Sequence, residues 1–152
     1  MKSENRHADR QLPLPREAFP YFTEIHPRWN DNDAYGHINN AVYYFYFDTI
    51  VNNFLIDASL LNIDKGEVIG LVAHTECDYF VPLKYPELID VGLGVTKIGN
   101  SSITYKIGLF KKGADPSAAL GKFVHVYVDS QTRKSVTLPN ALRKHVETLK
   151  IV

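Results

Sequence analysis

A chain of 152 residues suits one domain built on one buried core, and 45% apolar residues is an ordinary globular content. The 17 Lys and Arg balance the 17 Asp and Glu, so the formal net charge is zero and nothing draws the chain to nucleic acid or acidic membranes in general. Cys77 is the only cysteine, which excludes an intrachain disulfide and fits a reducing compartment.

Residues 1–20 place Pro13, Pro15 and Pro20 among charged side chains, the pattern of a flexible arm without the apolar stretch of a secretory signal. Residues 21–29 alternate in polarity and predict a first strand that ends near Pro27. Residues 41–56 predict a helix whose first two turns are apolar on every side, as in a helix buried against a sheet. Asn39 or Asn40 would cap it. Asp48 and Asn52, four apart, mark one side that meets water or a partner subunit. A mixed connector over residues 57–70, holding Asp64, Lys65 and Gly66, follows.

The period then changes to two. Residues 69–80, 88–98, 102–111 and 118–129 predict strands, separated by turn signals at 82–86, 99–100 and 113–116. Long consecutive strands predict an antiparallel meander. A short helix over residues 140–149 closes the chain. The longest apolar run, residues 41–47, is too short to span a bilayer. Together these features predict an α+β domain over residues 21–152, cytoplasmic and not membrane-bound.

The most informative stretch is RWNDNDAYGHINN, from Arg28 to Asn40, which leads straight into the apolar helix. It sets Asp31, Asp33 and His37 beside a helix start, where free N–H groups and the helix dipole favour negative charge. A carboxylate there can attack a carbonyl, or activate water against it, while the N–H groups hold the carbonyl oxygen.

This stretch resembles the hotdog-fold acyl-CoA thioesterases of the 4-hydroxybenzoyl-CoA thioesterase type. Their pattern is Asp-x-Asp, a Gly, often His-Val-Asn-Asn, then an aromatic-rich helix. Asp31, Asp33, Gly36, His37, Ile38, Asn39 and Asn40 match it without a gap, followed by Tyr43, Tyr44 and Phe47. The resemblance implies a five-stranded antiparallel sheet wrapped around a long central helix. It implies hydrolysis of an acyl-CoA to free acid and coenzyme A, by a homodimer or homotetramer, with no cofactor and no metal.

The resemblance makes Asp33 the reactive carboxylate, as nucleophile or general base, with Asp31 stabilising the loop or pairing with Arg28. An aspartate's ordinary pKa of about 4 leaves it charged at neutral pH, as either role demands. The backbone N–H of Asn40 falls where the family polarises the thioester carbonyl. His37 is the third catalytic candidate; in plant acyl-carrier-protein thioesterases a histidine at this place belongs to an Asp-x-Asn-x-His pattern, and Tyr35 stands here where that pattern has Asn. Tyr35, Gly36 and Asn39 are the candidate substrate-binding residues, Gly36 because it lets backbone approach a ligand closely.

Alternative readings are a hotdog hydratase or dehydratase and a non-enzymatic acyl-CoA-binding protein. The first family carries Asp-x4-His or His-x3-Pro-Gly; Asp33 and His37 are four apart and no Pro follows. Sensors of the second kind carry a DNA-binding segment, and the arm lacks the length for a helix-turn-helix. His7, His26, His74, His125 and His145 show no metal-ligand spacing. His74 and His125, on predicted strands, read as satisfied core or surface residues. Cys77 sits mid-strand without the context of a nucleophile. Gly92-Leu93-Gly94 reads as a bulge or a close approach within a strand rather than a phosphate loop. Lys97, Lys106, Lys111 and Lys112 are either phosphate-binding or solvated lysines.

Overall fold

The computed structural model describes residues 11–61 and 66–151. Residues 1–10 of the expected arm, with His7, and Asp64 and Lys65 of the connector lie outside the described residues. Five strands form one antiparallel sheet: β1 (Tyr21–Ile25), β2 (Val68–Tyr79), β3 (Ile89–Ile98), β4 (Ser102–Lys111) and β5 (Ala119–Asp129). Helix α1 (Val42–Asp57) lies across its concave face and α2 (Asn140–Glu147) packs at one end. This is the hotdog arrangement.

Alternation along the strands fixes which face is which. Val91, Leu93 and Val95 of β3, Ile103, Tyr105 and Ile107 of β4, and Phe123 and Tyr127 of β5 are all buried. Helix α1 meets them with Tyr43, Tyr46, Phe47, Ile50, Val51, Phe54 and Leu55. Each such side chain, fully buried, contributes about 1.5–3 kcal/mol of transfer free energy. Phe47 packs directly on the bare backbone of Gly121, where any Cβ would run into its ring.

Three expectations need correction. The strand order is β1-β3-β4-β5-β2, so only β3, β4 and β5 form a meander. β2 pairs with β5, because the chain after Tyr79 crosses the end of the sheet, hydrogen-bonding Phe80 and Val81 N–H to the Ala118 carbonyl. β2 is therefore a twelve-residue edge strand, with an irregular register between Val72 and His74. Helix α1 is not covered on every side, since one sheet shields one face, and Phe45 is 71% exposed.

The third correction concerns the arm, whose second half is pinned. Leu14 and Ser117 exchange hydrogen bonds, Leu14 N–H to the Ser117 hydroxyl (3.0 Å) and Ser117 N–H to the Leu14 carbonyl (2.9 Å). Arg16 pairs with Asp90 at 2.9 Å. Phe19 is buried beside Phe110, over the Cβ-free backbone of Gly92 and Gly108. The glycines of β3 thus serve close approach: Gly92 seats Phe19 and Gly94 seats Ile151. No helix among the described residues is long and apolar enough to cross a membrane.

Candidate active site

The chain between β1 and α1 is held by Asp31. It closes a 3-10 turn (Trp29–Asp31) and is only 3% exposed. Its carboxylate accepts the Arg28 backbone N–H at 2.9 Å, the Arg28 guanidinium at 3.1 and 3.2 Å, and the Tyr46 hydroxyl at 2.7 Å. Burial pushes its pKa up, but these donors, the Arg28 backbone N–H and Tyr46 first, together leave it below the usual carboxylate value. Asp31 therefore ties the loop to the second turn of α1 and has no oxygen left for chemistry. It pairs with Arg28, as one of the two sequence readings has it.

Asn32 and Ile38 form an antiparallel bridge, and Asp33 N–H donates to the His37 carbonyl at 2.8 Å. The intervening residues make a tight loop whose turn needs Gly36 at φ +80°, a conformation costly for any residue with a Cβ. One oxygen of Asp33, Oδ1, accepts the Tyr35 N–H at 2.8 Å and, more weakly, the His37 N–H at 3.4 Å. Oδ2 has no donor among the described residues. Asp33 is thus both a turn carboxylate and a carboxylate with an oxygen to spare.

Asp33, His37 and Asn40 line one open cavity of about 320 Å³, together with Tyr43, Tyr79 and Pro82. Where the chain enters α1, Asn39 takes up two N–H groups: its Oδ1 accepts from Ala41 and its carbonyl from Val42, each at 2.9 Å. The N–H of Asn40 has no acceptor among the described residues. The Asn40 carbonyl accepts the Tyr79 hydroxyl at 2.9 Å. Tyr79 and Tyr43 pack edge to face with centroids 4.9 Å apart. Burial, with the nearby Asp33 carboxylate adding a little, pushes the Tyr43 hydroxyl up to about 12. Burial pushes the Cys77 thiol up to about 11, so it stays protonated at neutral pH and is a poor nucleophile.

The structure thus brings Asp33, His37 and Asn40 to one wall. Tyr35 points to solvent, 87% exposed, and Gly36 shapes the loop without lining the cavity. The N-cap of α1 is Ala41, without a side-chain cap, so neither Asn39 nor Asn40 takes the capping place expected of it; the Asn39 side chain instead closes a turn onto the Ala41 N–H just ahead of the helix. Tyr79 escaped sequence reasoning because it lies 39 positions from Asn40, on another element. No sequence signal pointed to it, since it depends on β2 ending opposite Ala119 of β5. Of the candidate phosphate-binding lysines, Lys111 pairs with Glu87 and Lys112 with Glu24.

Known proteins match most of the chain. Residues 27–146 match the thioesterase-like superfamily. The crystal structure of the PA5185 protein of Pseudomonas aeruginosa PAO1 is 44% identical, covers 92% of this chain and 98% of its own, and superposes with a TM-score of 0.90. The uncharacterized protein YsmA of Bacillus subtilis is 24% identical over 80% of this chain and 82% of its own length. Slr0204 of Synechocystis, a 1,4-dihydroxy-2-naphthoyl-CoA thioesterase, is 17% identical, covers 83% of this chain and 94% of its own, and has a TM-score of 0.76, a likeness of fold. The chain belongs to the thioesterase-like superfamily.

Proposed function

We propose that the protein is an acyl-CoA thioesterase, hydrolysing an acyl-CoA to the free acid and coenzyme A. The observation that carries this reading is the pairing of a spare Asp33 oxygen with the unengaged N–H of Asn40 on one cavity wall. A thioester carbonyl bound there meets a negative oxygen and an N–H donor, the two things acyl transfer requires. The 1,4-dihydroxy-2-naphthoyl-CoA thioesterase of the same fold supports the substrate class.

As general base, Asp33 takes a proton from water while the water oxygen bonds to the thioester carbon. The carbonyl π electrons move onto oxygen, where the Asn40 N–H stabilises them. Collapse restores the carbonyl and breaks the C–S bond, and the departing thiolate of coenzyme A is protonated. The proton that Asp33 took from water returns to that thiolate, and His37, which lines the same cavity, is our candidate to relay it. As nucleophile, an Asp33 oxygen instead bonds to the thioester carbon, the C–S bond breaks to release the coenzyme A thiolate, and water then cleaves the resulting mixed anhydride to the free acid and Asp33. Single-turnover hydrolysis in ¹⁸O water separates the two routes, since only the anhydride route allows label to enter Asp33.

The working unit is a homodimer or a dimer of dimers. Edge strand β2 presents a long row of backbone groups with no partner strand, beside the exposed Phe45, Leu71 and Val72. Pairing two such edges covers them. A panel of acyl-CoA substrates with free-thiol detection tests the whole reading. Turnover of at least one substrate, lost in Asp33→Asn, is the expected result, and no thiol release across the panel would overturn it.

A further inference from the structure

His125 does not meet the sequence expectation of a satisfied residue. It sits on β5, only 4% exposed, and its Nδ1 has no hydrogen-bond partner among the described residues. The hydroxyls of its neighbours Tyr105 and Tyr127, also buried, make no hydrogen bond of good geometry, but they lie within reach of each other. The two tyrosines stand edge-on to the imidazole, at 5.8 and 6.1 Å between centroids. Leaving a buried polar atom unpaired costs about 1–3 kcal/mol. An unpaired imidazole nitrogen beside two hydroxyls that have only each other is a buried polar cluster that calls for a water or ligand partner.

The cluster backs onto a cavity of about 240 Å³, walled by Asn52 and Leu55 of α1, Val68 and Gly70 of β2, and His125 and Tyr127 of β5. It is separate from the Asp33 cavity. Asn52 follows Asn40 by twelve residues, about 18 Å along the helix axis at about 1.5 Å per residue. Gly70 keeps this wall thin. A Cβ there would stand 3.2 Å from His125 Nδ1 and 3.1 Å from Tyr127 Cζ.

Chemistry narrows the occupant. Among the described residues, none that lines the cavity carries a charge at neutral pH: burial depresses the His125 pKa to about 4 and pushes Tyr127 up to about 12. An ion would enter without a counter-charge, at heavy desolvation cost. A pure hydrocarbon would leave the polar cluster unpaired. A neutral imidazole offers one donor and one acceptor, and a tyrosine hydroxyl offers both, which matches an O–H group. For scale, an apolar cavity of about 150 Å³ holds benzene.

We propose that this cavity binds an uncharged group of about one ring or a short chain bearing a hydroxyl, which hydrogen-bonds to His125 and Tyr127. The group is either a free alcohol or phenol, or the hydroxylated end of an acyl chain. The second source rests on the thioesterase reading; the first does not.

Amide-resolved NMR titration of the full chain tests the site without catalysis, with phenol, toluene and benzoate as probes. Phenol should bind about tenfold more tightly than toluene, shifting the amides of Leu55, Gly70 and Tyr127, with benzoate weaker than either. Gly70→Ala, which fills the thin wall in ordinary strand backbone, and His125→Phe, which keeps a ring and removes both nitrogens, should each abolish the phenol preference. Equal binding of phenol and toluene, no binding of any probe, or a preference that survives in both variants would overturn the proposal. Kinetics then assign the source. A KM increase in His125→Phe confined to hydroxylated acyl-CoA identifies the acyl end, and unchanged KM with lost phenol binding identifies a free ligand. If the chain hydrolyses no thioester at all, the thioesterase reading fails while the NMR result still stands.

Discussion

The hydroxyl of Tyr79 donates a 2.9 Å hydrogen bond to the carbonyl of Asn40, joining the last residue of edge strand β2 to the chain entering α1. That carbonyl lies before the first turn of α1, outside the regular helical ladder. Tyr79 satisfies it and holds the neighbouring peptide in one orientation. Tyr79→Phe keeps the ring packed on Tyr43 and deletes only the donor. kcat should fall up to about tenfold, the worth of one ordinary hydrogen bond, with KM and the circular dichroism spectrum little changed. An unchanged kcat would show that Asn40 needs no such restraint.

Asp33→Asn preserves shape and should lower kcat by at least about a hundredfold, the range for a positioned base. His37→Gln should cost less. Should both variants lose the same factor, the two residues act as one unit, and the double variant would then lose little more than either single one.

Asp31→Asn should leave substrate specificity alone and destabilise the fold by about 1–3 kcal/mol, because Arg28 and Tyr46 lose a charged acceptor. The folded pKa lies below the ordinary value, so its contribution is present above about pH 4 and is lost as pH falls through the folded value. Urea titrations from pH 7 to pH 2 should show the difference between Asp31→Asn and the parent chain shrinking at the acid end.

His125 acts in a higher window. Its folded pKa, near 4, lies below the ordinary histidine value of about 6.5, so between those two pH values the unfolded chain binds the extra proton. Stability is full above about pH 6.5 and declines as pH falls towards 4, by up to about 3 kcal/mol. In His125→Phe that slope should disappear from Tm measured at pH 7, 5.5 and 4.5.

Light scattering at micromolar concentration should return at least twice the 17.2 kDa chain mass. Val72→Asp, a charge in the middle of the exposed edge, should shift the population towards monomer and lower activity at high dilution first. A monomeric parent chain with full activity would remove the dimer from the proposal.

That Asp33, His37 and Asn40 share one cavity was legible because they are contiguous: they fall within eight residues, and a loop closed by Asp31 and Gly36 keeps them together. The strands were legible from their alternation, to within a residue or two for β2 to β5. What alternation does not carry is which edges meet, so the pairing of β2 with β5 and the resulting free edge appeared only in three dimensions. Tyr79 was hidden for that reason. The pinning of Phe19 was hidden because its seat is made of absent side chains, at Gly92 and Gly108. His125 was read as satisfied because residue type and strand position say nothing of where a ring nitrogen finds its partner.

Phe47 resting on Gly121 has a consequence beyond packing density. The ring is a spacer, and the bare strand beneath it fixes the height at which α1 rides above β5. Tyr43 sits about one turn upstream of that spacer on the same rod, and Asn40 lies just ahead of the rod's first turn. Any side chain at 121 would lift the rod like a shim, and the reach between Tyr79 and Asn40 would open before the core came apart. The width of the cleft is thus set by the thickness of one aromatic ring, at a position outside the cavity's own lining.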